Sequence, residues 1–206
     1  MENAYFFVLM SIMLIILPGP DTGLVTRNAI IHGRKGGMQT ALGSVLGTIV
    51  HTLAAVIGLS AIIVKSALIF SVFKYVGALY LIYLGVVSLW SARKKEQAAV
   101  GQEETKGGTS VFRQGFLTNV LNPKVAVFFL TFLPQFLVPG KSTFVQFFMM
   151  GMTYAVLTFL WFFLYVSFIH SISAWMKKAS VQRGIQGVSG VVLLGFGIKL
   201  ALEDRP

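Results

Sequence analysis

The 206-residue chain has no cysteine, which excludes disulfides, thiolate metal sites and thiol redox chemistry. It is also poor in acid, with seven Asp and Glu against seventeen Lys and Arg. Glu2, Glu96, Glu103, Glu104, Glu203 and Asp204 sit at the termini or in one polar stretch, so Asp21 alone lies within a membrane-length apolar segment. Neither paired acids, a Ser/His arrangement nor a metal cluster falls at membrane depth, which argues against an enzyme. There is no Walker-type phosphate loop to support ATP hydrolysis, and no cofactor is expected. Charge of either sign is scarce: 12% of residues are charged, against about 25% in a globular chain.

What fills the chain instead is apolar sequence, 55% of it, with a mean hydropathy of +0.77. No Asp, Glu, Lys or Arg occurs from Gly36 to Val64, or from Ser142 to Met176. About 20 apolar residues cross a hydrocarbon core of roughly 30 Å, so both runs can span a bilayer. The apolar N-terminus carries Glu2 where a secretory signal has a basic region, and it reads as a retained first span.

Apolar runs and breaks predict six spans, at 4–31, 38–64, 67–91, 113–137, 143–170 and 184–202. The odd-numbered loops hold eleven basic residues against four on the other face and termini. The positive-inside rule then places those loops in the cytoplasm and both termini outside. The net charge of +10 therefore reads as loop charge rather than as a nucleic-acid surface. Trp90, Trp161 and Trp175 are expected as anchors near span ends. The polar stretch 91–112 divides the chain into three-span units, 1–90 and 113–206. Three is odd, so the second unit repeats the first upside down. The expected fold is thus an all-α polytopic membrane protein built of two inverted three-helix repeats.

The first helix of each repeat is interrupted by proline, at Leu17-Pro18-Gly19-Pro20-Asp21 and at Leu121-Asn122-Pro123-Lys124. At ~1.5 Å per residue, both breaks fall towards the middle of the bilayer. Proline removes a backbone hydrogen bond and clashes with the preceding turn, at ~3 kcal/mol. In lipid the freed carbonyls need partners, so an unwound stretch must face protein or a water-filled cavity. Paired interruptions of this kind point to a transporter's binding site.

Matching Pro20 with Pro123 sets Asp21 opposite Lys124, each near the start of a half-helix. They either pair with each other or meet the ammonium and carboxylate of a zwitterion, whose smallest common example is an amino acid. Asp21 is a candidate proton carrier, and so is His51, which as a lone histidine reads more simply as a packing residue. Gly43, Gly47 and Gly151 with Tyr154, and Gly77, Gly85, Gly190 and Gly197, read as points of close helix approach.

At these residues the chain resembles the LysE/RhtB family of bacterial amino-acid exporters. The carrying motifs are Leu17 to Asp21, the basic-glycine segment Gly33 to Gly37, Ala41-Leu42-Gly43 leading to Gly47 and His51, Gly115 to Lys124, and Phe132 to Phe136. The resemblance implies efflux of amino acids or their derivatives from the cytoplasm across a bacterial plasma membrane by proton antiport, and the expected function is a secondary exporter of small neutral amino acids. It implies a substrate site at Pro18, Gly19, Pro20, Asp21, Asn122, Pro123 and Lys124. The expected partners are an amino acid, protons and the lipid bilayer, with no nucleic acid; a homo-oligomer is left open. Two alternatives remain: divalent-cation efflux, for which the ligands are few, and a non-transporting membrane scaffold.

Overall fold

In the computed structural model, residues 4–59, 67–93, 110–169 and 178–202 are described, and no strand occurs among them. Helices α1 (Ala4–Ile16) and α2 (Pro20–Ile31) form one bent pair, with 53° between them. Helix α3 (Gly33–Ala54) runs on through a π turn at Ala55–Leu59, and α4 spans Ala67–Arg93. The second bent pair, at 45°, joins α5 (Val111–Val120) to α6 (Pro123–Val127), which continues through a π turn (Phe128–Phe132) and a 3₁₀ turn (Leu133–Phe136). Helices α7 (Thr143–Ser167) and α8 (Ala179–Leu202) complete the chain.

Gly33–Gly58, Thr143–Ser167 and Ser180–Ile198 are each long and apolar enough to cross a bilayer, and each bent pair adds one more such segment. The apolar stretch of α4, Lys74–Trp90, is shorter. Large apolar side chains face outward along the helices, among them Leu42, Leu46 and Leu53 on α3 and Leu160 and Phe163 on α7. Such a surface is costly in water and suited to lipid.

Helix α3 lies among α2, α5 and α7, and α4 packs along α8. Glycine makes these approaches close. A Cβ at Gly43 would meet the Phe112 carbonyl and, at 2.8 Å, the Phe116 nitrogen; one at Gly47 would lie 2.8 Å from the Asn119 side chain. Gly151 meets Thr52 and Gly77 meets Thr131 in the same way, while Gly85, Gly190 and Gly197 seat α4 on α8. The expected packing role of these glycines is what the structure shows. Elsewhere, apolar packing is aromatic. Phe7 on α1 meets Phe136 edge-on at 5.4 Å, and Phe128 lies 4.9 Å from both Phe132 and Tyr154. Centroid separations of 4.5–7 Å are the favourable range for aromatic pairs.

Several boundaries differ from expectation. The basic-glycine segment is the first turn of α3, which begins at Gly33 rather than 38. Gly33 takes φ 67°, a left-handed conformation that turns the chain from α2 into α3 without a loop. Helix α8 begins at Ala179 rather than 184, and α4 and α5 reach into the expected 91–112 connector, whose residues 94–109 lie outside the described set. Trp161 is no simple surface anchor: it packs against both apolar clusters of the core and lies 6.0 Å from the Tyr165 ring. Trp90 is exposed as expected, and Trp175 lies outside the described residues.

Candidate functional site

The two breaks come together. Gly19 is in extended backbone and Pro20 is the first residue of α2, where its missing N–H costs nothing. Pro123 opens α6 in the same way, and the side chain of Asn122 caps that helix by accepting from Lys124 N at 3.0 Å. Lys124 then reaches back across the junction. Its Nζ donates to the carbonyls of Leu14 at 3.1 Å and Leu17 at 3.0 Å, oxygens at the end of α1 that the break leaves in need of a partner. A cation at a helix C-terminus also matches the helix dipole. Gly19 leaves room for it, since a Cβ there would lie 3.2 Å from the lysine nitrogen.

Asp21 is 7% exposed and follows Pro20 at the positive end of α2. Its Oδ2 accepts from Asn122 Nδ2 at 2.6 Å and from Asn119 Nδ2 at 3.3 Å, and its Oδ1 accepts from Ser44 Oγ at 3.3 Å. The carboxylate is therefore held by three neutral donors from α3, α5 and the second break. The direct ion pair with Lys124, one of two uses open from sequence, is not formed here: each group has other partners.

A cavity of about 260 Å³ lies at the junction. Pro18, Gly19 and Pro20 form one side with Leu17, and Asn122, Pro123 and Lys124 form another. Six of the seven expected site residues thus share one space. Asp21 does not line it but lies one hydrogen bond behind, through Asn122. His51 is further away, with Nε2 3.1 Å from the Asn119 carbonyl and its ring 5.8 Å from that of Phe129. The same Asn119 bonds Asp21 through its amide, so His51 and Asp21 share a neighbour.

Sequence reasoning missed the remaining wall, which α4 supplies through Tyr80, Leu84, Val87 and Ser88 and α8 through Gln186. It also missed the groups behind the site. Thr40, Ser44, Thr48 and Thr52 recur every fourth residue of α3, and each is at most 1% exposed. Three of them return a hydrogen bond to the preceding turn: Thr40 to the Gly36 carbonyl, Thr48 to that of Ser44, and Thr52 to that of Thr48. That hydroxyl period was a legible signal of a buried polar face. The α4 and α8 residues carried no such mark.

The profile of the LysE type translocator family matches residues 12–204. The chain belongs to that family. This makes it a multi-pass membrane protein of transport, not an enzyme. The translocator is 34% identical to the uncharacterized membrane protein YrhP of Bacillus subtilis (strain 168), over 98% of this chain and 100% of that one. It is 30% identical to the leucine efflux protein of Enterobacter sp. (strain 638), over 97% and 95% respectively. The leucine efflux protein of Salmonella typhimurium is 29% identical over 97% of this chain and 94% of its own. No solved structure matches it.

Proposed function

We propose that this translocator exports small neutral amino acids from the cytoplasm by proton antiport, through the cavity between its two helix breaks. The observation that carries the reading is the Lys124 ammonium lining a small cavity where two helix N-termini begin. An ammonium and two N-termini receive a carboxylate. Full-length relatives named leucine efflux proteins support an amino acid as its bearer.

The contacts of Lys124 give this binding a mechanism. A substrate carboxylate draws the lysine away from the Leu14 and Leu17 carbonyls, and the substrate's own ammonium takes those oxygens in exchange. A zwitterion fits because its carboxylate meets the displaced lysine while its ammonium takes the carbonyls that the lysine leaves. Asp21 is the proton-carrying group of this scheme, one hydrogen bond from the cavity through Asn122, with His51 next along the chain through Asn119. In the same reading, 1–90 and 113–206 are inverted repeats, the membrane is the bacterial plasma membrane, and both termini lie outside.

Divalent-cation efflux lacks a donor set, since among the described residues no three His, Cys, Asp or Glu side chains come together. The test is transport by the purified protein in proteoliposomes. Preloaded neutral amino acid is expected to exchange with external substrate, and an imposed pH gradient to drive net flux. Vesicles that exchange no amino acid overturn the proposal; exchange indifferent to the gradient removes the antiport part.

A further inference from the structure

The cavity has two unlike walls. The wall of the breaks carries the ammonium, the helix N-termini and backbone, which suit the carboxylate and ammonium common to every amino acid. The opposite wall belongs to α4 and α8 and bears no charge. Tyr80, Leu84, Val87 and Ser88 follow the spacing of one helix face, with the two aliphatic residues between the two hydroxyls. Gln186 joins them from α8, the helix along which α4 packs.

We infer that this α4–α8 wall is the side-chain subsite of the translocator, that Leu84 and Val87 are its specificity-determining residues, and that it takes a branched aliphatic side chain. The inference rests on the proposed amino-acid site and adds which residues read the variable part of the substrate. A substrate held at the breaks by its common groups must turn its side chain towards the wall that remains. There Leu84 and Val87 give apolar contact. A charged side chain would meet no countercharge on that wall, and burying an unpaired charge is heavily penalised. Size acts in the same direction. About 260 Å³ lies below the range of roughly 300–1,000 Å³ that takes drug-sized ligands, a size suited to one small solute.

The experiment is counterflow in proteoliposomes of the full chain, with labelled leucine, alanine, lysine and glutamate as probes and labelled phenylalanine added for the Leu84→Ala comparison. Wild-type protein is expected to exchange leucine at least 10-fold faster than lysine or glutamate. Val87→Phe, at a position 36% exposed, fills the subsite from its edge. It is expected to lower the ratio of leucine to alanine exchange about 10-fold or more; one methylene of misfit in an apolar pocket is already worth roughly 10–200-fold. Leu84→Ala enlarges the same wall and is expected to admit phenylalanine. Retained alanine exchange shows that a variant is folded and active. Leucine and alanine falling together in Val87→Phe overturns the inference and leaves the exporter reading standing; a leucine to lysine ratio near one in wild type overturns the inference and the neutral-substrate part of that reading. Wild-type vesicles that exchange none of the four probes overturn that reading first, and this one with it.

Discussion

Replacing Asp21 with Ala separates the cost of a buried charge from the value of what it holds. The carboxylate accepts from Asn122 at 2.6 Å, Asn119 at 3.3 Å and Ser44 at 3.3 Å. Without it, Ser44 keeps the Gly115 carbonyl, 3.4 Å away. Asn119 and Asn122, each 2% exposed, are left with amide N–H groups that have lost their acceptor. A buried donor without a partner costs about 1–3 kcal/mol, so two cost roughly 2–6 kcal/mol, and the cost falls on the geometry of the second break. Against this, removing a carboxylate from membrane depth returns about 2.5–3.5 kcal/mol. The two effects nearly cancel for insertion and folding, but only the first acts on the cavity, because Asn122 both lines it and caps α6. At 1.36 kcal/mol per factor of ten, even the lower figure lowers the competent arrangement about 30-fold. The expected outcome is normal membrane yield and a normal gel-filtration profile, with proteoliposome exchange reduced at least about 30-fold. Flux near wild type in Asp21→Ala would refute the reasoning, whatever its effect on stability.

Lys124→Met keeps length but leaves the Leu14 and Leu17 carbonyls unpaired; exchange is expected to vanish, and binding measured by amino-acid-induced thermal shift should go with it. The double exchange Asp21→Lys with Lys124→Asp is expected to be inactive in the same assay, because the two groups hold separate partners; restored flux would mean that they pair during the cycle. Gly115→Leu drives a side chain into the Thr40 backbone, and overpacking of this kind costs about 1–3 kcal/mol or more. Its detergent-solubilised form should melt lower than wild type in a thermal-unfolding scan. His51→Gln retains a donor for the Asn119 carbonyl and should leave exchange within about 2-fold; a loss confined to gradient-driven flux would assign proton handling to His51.

Much of this molecule follows from local rules. Proline cannot continue a helix, so Pro18, Pro20 and Pro123 mark the two bends whatever surrounds them, and glycine at Gly43, Gly47 and Gly115 marks where helices touch. Uncharged runs of 29 and 35 residues, at 36–64 and 142–176, read as spans because lipid admits little else. Tertiary structure alone decided what those landmarks face. Asp21 and Lys124 look like partners in sequence, yet a lysine has four methylenes and takes the nearest unsatisfied acceptors. Those are the carbonyls that the break itself exposes at the end of α1. The carboxylate, left to others, is met by Ser44 and Asn119, residues 23 and 98 positions away. The uncharged wall from α4 and α8 was equally hidden, since Tyr80, Leu84 and Gln186 resemble any other residues of a packed span until the fold sets them around one space. Helix ends are local in the chain, whereas a cavity is made by surfaces that meet only after the helices have packed.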